Sequence, residues 1–281
     1  MPASRLAIDL SGGTIRVLDG VPGGPMRSAE IGVAEQAMDG GRIRDPAAVG
    51  AAVRQLLARA EINTGRAMVA ASDAIASFRV MSFAAGTSDA EVEAEVRAQL
   101  PAHDRLSIRR REVLDAVPGR TIYATAWDRD SVRAITESVH HAGLDTAVVD
   151  LKSLCLARAV TAPSCVILDL SSQPVEAILI DAHVPRAWHS FKAGSDGDLA
   201  ATITAGLKPV FAFYRTRAEA FPADAPILVR SEQMLPAPVV HRLRQLTGRP
   251  VEPVPQPARV DPTLRYGAFL TCIGLVMRRA S

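Results

Sequence analysis

Cysteine is scarce. The chain has three, Cys155, Cys165 and Cys272, far apart and each inside an apolar run. No CxxC or Cys/His spacing offers a zinc site, and an odd, scattered set is no disulfide framework, so reduced, buried thiols are expected, as in a cytosol. The six histidines show no ligand spacing either. An excess of one charge is also missing: 32 Lys+Arg stand against 30 Asp+Glu, a net +2, which gives no electrostatic case for a nucleic-acid partner or an anionic membrane surface. Long hydrophobic runs are absent. The longest, "YGAFLTCIGLVM" at 266–277, falls short of the ~20 apolar residues a membrane span needs. The first residues lack the basic start and apolar core of a signal peptide. The expectation is a chain with no transmembrane segment of its own, in which 266–277 is a buried final helix rather than a surface anchor ahead of Arg278 and Arg279.

Apolar residues make up 48% of the 281, ample for a buried core and against disorder. Two stretches read alike: "RLAIDLSGGTIRVLDG" at 5–20 and "CVILDLSSQPVEAILID" at 165–181. Each is an apolar run, then Asp-Leu-Ser, a turn, and a second apolar run ending at Asp, which is a repeated strand-turn-strand unit. After the first, "RDPAAVGAAVRQLLARAEINTG" reads as a helix with Asp45 as N-cap and Pro46 in its first turn, and "AMVAAS" as a short buried strand. Residues 78–150 then run strand, helix, strand, strand, helix, strand. Ser88 and Glu91 form a capping box on the first helix, and Asp130 or Ser131 caps the second. This is the order of a split, ferredoxin-like βαββαβ unit. Arg109, Arg110 and Arg111 fall on a strand with one solvated face and are expected at the surface, and Trp127 and Trp188 are expected to pack. A helix at 151–160 leads to the second hairpin. The helical signal after 198 is broken or bent by Pro209, and a final helix is expected from Thr263.

A duplicated hairpin opening on Asp, each copy followed by helix and strand, is the layout of the actin-like ATPase fold, a duplicated ribonuclease H-like α/β architecture. With "DGGRIRDPAAVGAAVRQLL", "VRAITESVHHAGLDTAVVDLKSLCLARAV" and "TGRPVEPVPQP" in order between and after the hairpins, nearly the whole chain resembles the PilM family, the cytoplasmic actin-like component of type IV pilus platforms, itself similar to FtsA. The resemblance implies a first core half at 1–77, an inserted ferredoxin-like α+β subdomain at 78–150, and a second core half at 151–262. A C-terminal helix at 263–281 would pack back on the core. It implies a cytoplasmic adaptor, peripheral to the inner membrane. Its partner would be the N-terminal tail of a PilN-like bitopic protein, held in a groove between core and insert, with pilus motor or platform proteins as further partners.

The same resemblance implies that Asp9, Ser11, Gly12, Gly13, Thr14, Asp169, Ser171 and Ser172 would hold nucleotide phosphates, with Asp9 and Asp169 placing Mg²⁺. The chain departs from the family there. Ser11 and Ser171 stand where Gly is usual, Pro174 removes a donor from the second turn, and Ser231 and Glu232 replace a Gly-Gly turn under the adenosine. Only about 30 residues separate Gly194 from the strand at 226, so the outer subdomain of the second half is expected to be truncated. ATP and Mg²⁺ are expected to bind weakly or not at all, and the protein to be a non-catalytic or feebly catalytic adaptor. The alternatives are an active actin-like ATPase or small-molecule phosphotransferase using those same residues, and a filament former.

Overall fold

The computed structural model describes residues 5–101, 104–113, 119–171, 173–192, 198–215, 221–231 and 233–278. Strands β1 (Arg5–Asp9), β2 (Thr14–Gly20) and β3 (Met26–Gly32) form an antiparallel meander. A two-residue-per-strand hairpin, β4 (Met38–Asp39) and β5 (Arg42–Ile43), leads into helix α1 (Pro46–Arg59). The Asp45 side chain accepts the Ala48 N–H at 3.0 Å and Pro46 opens the helix, as expected. Val49, Val53, Leu56 and Leu57 bury one face of α1, the 3.6-residue stripe of a helix lying on a sheet. Strand β6 (Arg66–Ala71) then pairs parallel to β1.

A 3₁₀ turn at Asp73–Ile75 ends the first half ahead of the insertion. The insertion comprises β7 (Ala76–Phe83), α2 (Asp89–Gln99), β8 (Leu106–Val113) and β9 (Arg120–Asp128), with the sheet order β7-β9-β8. The Ser88–Glu91 capping box is present. Helix α3 (Arg129–His141) and strand β10 (Asp145–Leu151) follow. The expected element order is therefore found, but the four-stranded ferredoxin-like sheet is not. Strand β10 pairs in parallel with β6 of the core, and α3 packs on α1. The reason is local. Ile135 and Val139 of α3 and Leu144 after it belong to the apolar cluster of β1, β2 and α1, whereas α2 covers Met81, Ile122, Ala124 and Ala126 of the inserted sheet. The cap of α3 is Asp128, whose carboxylate accepts the Ser131 N–H at 3.1 Å, not Asp130 or Ser131.

Helix α4 (Lys152–Ala159) joins the halves. The second half repeats the first: β11 (Cys165–Asp169), β12 (Val175–Asp181), β13 (Val184–Phe191), helix α5 (Leu199–Arg215), β14 (Ile227–Arg230), α6 (Ala237–Thr247) and β15 (Val251–Pro253). The helix runs through Pro209 rather than ending there. The sheet orders are β3-β2-β1-β6-β10 and β13-β12-β11-β14-β15, the same arrangement twice. The final helix, α7 (Tyr266–Val276), starts three residues later than expected and is buried from Ala268 to Val276. It lies against α4, β1, β2 and β6, so it is the centre of the molecule and not a membrane anchor. One apolar cluster spans both halves through it, from Ala7, Leu18 and Ala70 to Ile167, Ile178 and Leu228. The crossing of α4 and α7 requires glycine: a Cβ at Gly274 would lie 1.8 Å from the Cys155 carbonyl oxygen. All three cysteines are free and buried, as expected. Among the described residues no helix is long and apolar enough to cross a membrane.

Candidate functional site

The two Asp-Leu-Ser turns are the same structure twice. Oδ1 of Asp9 accepts the Ser11 N–H at 2.9 Å and the Ser11 hydroxyl at 2.5 Å. Oδ1 of Asp169 accepts the Ser171 N–H at 2.9 Å and the Ser171 hydroxyl at 2.6 Å. The leucine between them donates its N–H to the neighbouring parallel strand in both copies, Leu10 to Ala70 and Leu170 to Arg230. Each serine thus ties its aspartate back at the strand end; a glycine could donate the N–H but not the second, hydroxyl bond.

A cavity of about 340 Å³ lies between the turns. It is lined by Asp9, Ser11, Gly12, Gly13 and Thr14 from the first half and by Ser171 and Gln173 from the second, with Arg16, Lys152 and Arg230 among its walls. The structure therefore brings together at this cavity six of the eight residues expected at the phosphate turns; Asp169 is fully buried behind the wall, and Ser172 lies outside the described residues, as does Glu232. The β4–β5 hairpin closes one side through Met38, Asp39 and Gly40, and Gly41 sits against the Ser11 turn. Its φ is +77°, and a Cβ there would lie 2.8 Å from the Ser11 carbonyl oxygen, so the turn and the β4–β5 hairpin touch only because that residue is glycine.

What the sequence reading missed is the set of charges behind the cavity. Oδ2 of Asp169 takes the Lys152 ammonium at 2.7 Å and the Arg230 guanidinium at 3.0 Å. The same ammonium donates to Glu176. The Asp169 and Glu176 backbones face each other across the β11–β12 register. At the equivalent pair in the first half, Asp9 faces Arg16, whose Nε bonds Glu30 at 3.0 Å. Burial would raise the Asp169 carboxyl, but the charges of Arg230 and Lys152 outweigh it and hold it below the usual carboxylate range. Burial works equally against the Lys152 ammonium, and Asp169 and Glu176 hold it charged, above the ordinary lysine range. Arg230 also reaches the first turn of α7, donating to the Gly267 and Ala268 carbonyls at 2.8 Å each and bonding the Thr271 hydroxyl at 3.0 Å.

Ser153, next to Lys152 at the start of α4, points the other way. Its N–H donates at 2.9 Å to Asp73, in the 3₁₀ turn of the first half, and its hydroxyl donates to the same carboxylate. Asp73 is 1% exposed. Burial pushes its carboxyl up to about 7, against the lowering effect of the Ser153 hydrogen bonds, and the nearby Glu176 charge adds to the rise. Two consecutive residues of one helix thus hold one half each.

Beyond β14 a second, larger cavity of about 750 Å³ opens between α6, β15 and the start of α7. Ser231, one of the two residues standing for the Gly-Gly turn, lines it, and Arg230 lines both cavities. A third, of about 480 Å³, lies between the inserted sheet and the core. Arg109, Arg111, Tyr123, Thr125 and Trp127 line its insert side, and Val132, Val149, Leu154 and Arg278 its core side. Arg110 also lines it but reaches α2, pairing Glu93 at 3.3 Å. The three arginines are exposed, as expected of a strand with a solvated face. Strand β8 is an edge of its sheet. Tyr123, at the groove, is buried, and burial raises its hydroxyl above the ordinary tyrosine range.

Among the described residues no group of three or more His, Cys, Asp or Glu side chains is arranged to hold a metal ion. No family model and no curated protein matches the chain. Solved structures do. A chain of a PilM-PilN type IV pilus biogenesis complex superposes with a TM-score of 0.75 at 17% identity, covering 97% of each chain. The ethanolamine utilization protein EutJ from Carboxydothermus hydrogenoformans superposes with a TM-score of 0.59 at 13% identity, over 99% of this chain and 90% of that one. The cytoplasmic domain of EpsL, an inner-membrane component of the type II secretion system of Vibrio cholerae, gives 0.54 at 10% identity, over 99% and 97%. At such identities the likeness concerns the fold, and it shows that this chain has the mixed α/β, actin-like ATPase fold.

Proposed function

We propose that the protein is an actin-like adaptor of a type IV pilus or related secretion platform. It would act in the cytoplasm beside the inner membrane and hold the N-terminal cytoplasmic tail of a PilN-like membrane protein. The observation that carries this reading is the groove between insert and core. It combines an apolar floor of Val132, Val149, Leu154 and Trp127 with an edge strand, β8, alongside. Extended peptides dock on such surfaces, with main-chain bonds to the edge and side chains in alternate pockets. The fold likeness to a chain of a PilM-PilN complex supports the same partner class.

The cleft supports a non-enzymatic role. Magnesium demands oxygen ligands at about 2.0–2.1 Å in near-ideal octahedral geometry. Both oxygens of Asp169 are already engaged, and two fixed cations stand against the second. The residues do not fit a magnesium ion there, and no catalytic step is derived through one. Arg230, pinned between the cavities by α7, also stands between the phosphate turns and the space beyond β14. The reading of an active ATPase or phosphotransferase is left without a metal position at Asp169.

The test is fluorescence anisotropy of a labelled peptide comprising the N-terminal tail of the bitopic membrane protein encoded beside this chain. Saturable binding, weakened at least tenfold by Val132→Phe, which fills the groove from α3, is the expected result. No binding, or binding indifferent to that substitution, would sink the proposal.

A further inference from the structure

We propose that Lys152, with Arg230, is the protein's own replacement for a divalent cation, so that the joint between the two halves is made permanently and without metal. The ammonium bridges Asp169 and Glu176, a position between two carboxylates that a metal ion would otherwise take. Two single-charged side chains on Asp169 supply together the charge of one divalent ion. The side chains of Asp169, Lys152 and Arg230 are 0%, 2% and 1% exposed, respectively, so this is a built cluster and not a surface pairing.

Residue choice points the same way. The chain carries only three lysines, Lys152, Lys192 and Lys208, and otherwise uses arginine. At this buried position between two carboxylates it has the residue with a compact point charge rather than a planar fork. Arginine occupies the neighbouring place, where the directions are fixed by two α7 carbonyls, Thr271 and Asp169. The position of Lys152 in the chain matters as well. It begins the helix that links the halves, and Ser153 beside it bonds Asp73 of the first half. Lys152 therefore fixes the linking helix to the second half at the point where Ser153 fixes it to the first.

A latent metal site follows. Removing the ammonium leaves Asp169 and Glu176 converging on an empty volume at the cavity wall, with the charge deficit of one cation. This inference deepens the reading of the cleft as non-catalytic but stands apart from the partner peptide, so either can fail alone.

The experiment is a Mn²⁺ titration, followed by electron paramagnetic resonance and by thermal melting, of the wild type, Lys152→Ala and Lys152→Met. The wild type is expected to bind no Mn²⁺ in the cleft and to melt identically in EDTA and in millimolar Mg²⁺ or Mn²⁺. Lys152→Ala is expected to gain a saturable Mn²⁺ site, at least tenfold tighter than any in the wild type, and to be raised in melting temperature by it. Lys152→Met, which fills the volume without charge, should gain neither. Should Lys152→Ala not fold in EDTA, refolding in Mn²⁺ is expected to recover it. A folded Lys152→Ala that binds no Mn²⁺, a chain that Mn²⁺ fails to recover, or a wild-type site lost in Asp169→Asn would overturn the proposal.

Discussion

Replacing Lys152 by Met keeps an unbranched side chain of similar length and removes one charge from a buried cluster that contains two carboxylates and two cations. Asp169 retains Arg230, but Glu176, 5% exposed, loses the ammonium that Lys152 gives it. Breaking a buried pair by removing one partner costs about 3–5 kcal/mol, because the remaining charge stays desolvated. Glu176→Gln removes the orphan from the other side. The double variant then leaves Asp169 with Arg230, a balanced pair, in otherwise uncharged surroundings. Its cost should fall below that of Lys152→Met alone, with a coupling of about 2–3 kcal/mol, at the upper end of what contacting residues show. Urea unfolding of the four proteins at pH 7 measures this, against a total stability of roughly 5–15 kcal/mol for a folded chain. Additivity within about 0.5 kcal/mol, or a cost for Lys152→Met of only about 0–1 kcal/mol, the worth of an exposed pair, would refute the reasoning.

Three further outcomes are expected. Gly274→Ala places a methyl 1.8 Å from the Cys155 carbonyl oxygen, so α4 and α7 must part. Its cost should reach or exceed the ~1–3 kcal/mol of ordinary overpacking, and urea unfolding should show it, whereas Gly13→Ala, with nothing within 4 Å, should be tolerated. Asp73 carries its proton up to about pH 7 in the folded protein but only to about pH 4 when unfolded. The folded state therefore binds the extra proton across that window, and the contribution of Asp73 to stability falls as pH rises through it and levels above. In Asp73→Asn this part of the pH profile should be flat, and an unchanged slope would remove Asp73 as its source. Ser171→Gly deletes one hydroxyl bond to Asp169, worth about 1 kcal/mol. It should not create Mg-ATP binding by calorimetry, because the two cations remain on Asp169; a gain of binding would locate the obstruction in the serine.

Much of the fold was legible. The two Asp-Leu-Ser hairpins, the Asp45 and Ser88 caps and the short buried strands at 67–72 and 226–231 follow from apolar period and turn chemistry, and their repetition pointed to the duplicated fold. What failed was partnership. Strand order alone cannot say whether the strand at 146–151 closes the inserted sheet or joins β6, because both solutions use the same local pattern. That choice is settled by side-chain packing of α3 against α1, a non-local contact. Six of the turn residues do meet at one cavity, but the departures from the family pattern drew attention to Ser11 and Ser171, not to the charges behind them. Lys152, Glu176 and Arg230 left a signal: each is a lone charge in a short apolar stretch, "LKSLCLA", "VEAILI" and "PILVRS". A single buried charge calls for a counter-charge, but which one depends on the register of β11 with β12 and β14, and that is visible only in three dimensions.

The central claim is that this actin-like cleft is completed by the chain's own cations. Isothermal calorimetry of Mg-ATP into the wild-type protein tests it most directly. The account predicts no saturable heat at millimolar nucleotide and no change in melting temperature. A stoichiometric, magnesium-dependent binding isotherm that Asp169→Asn abolishes would contradict it.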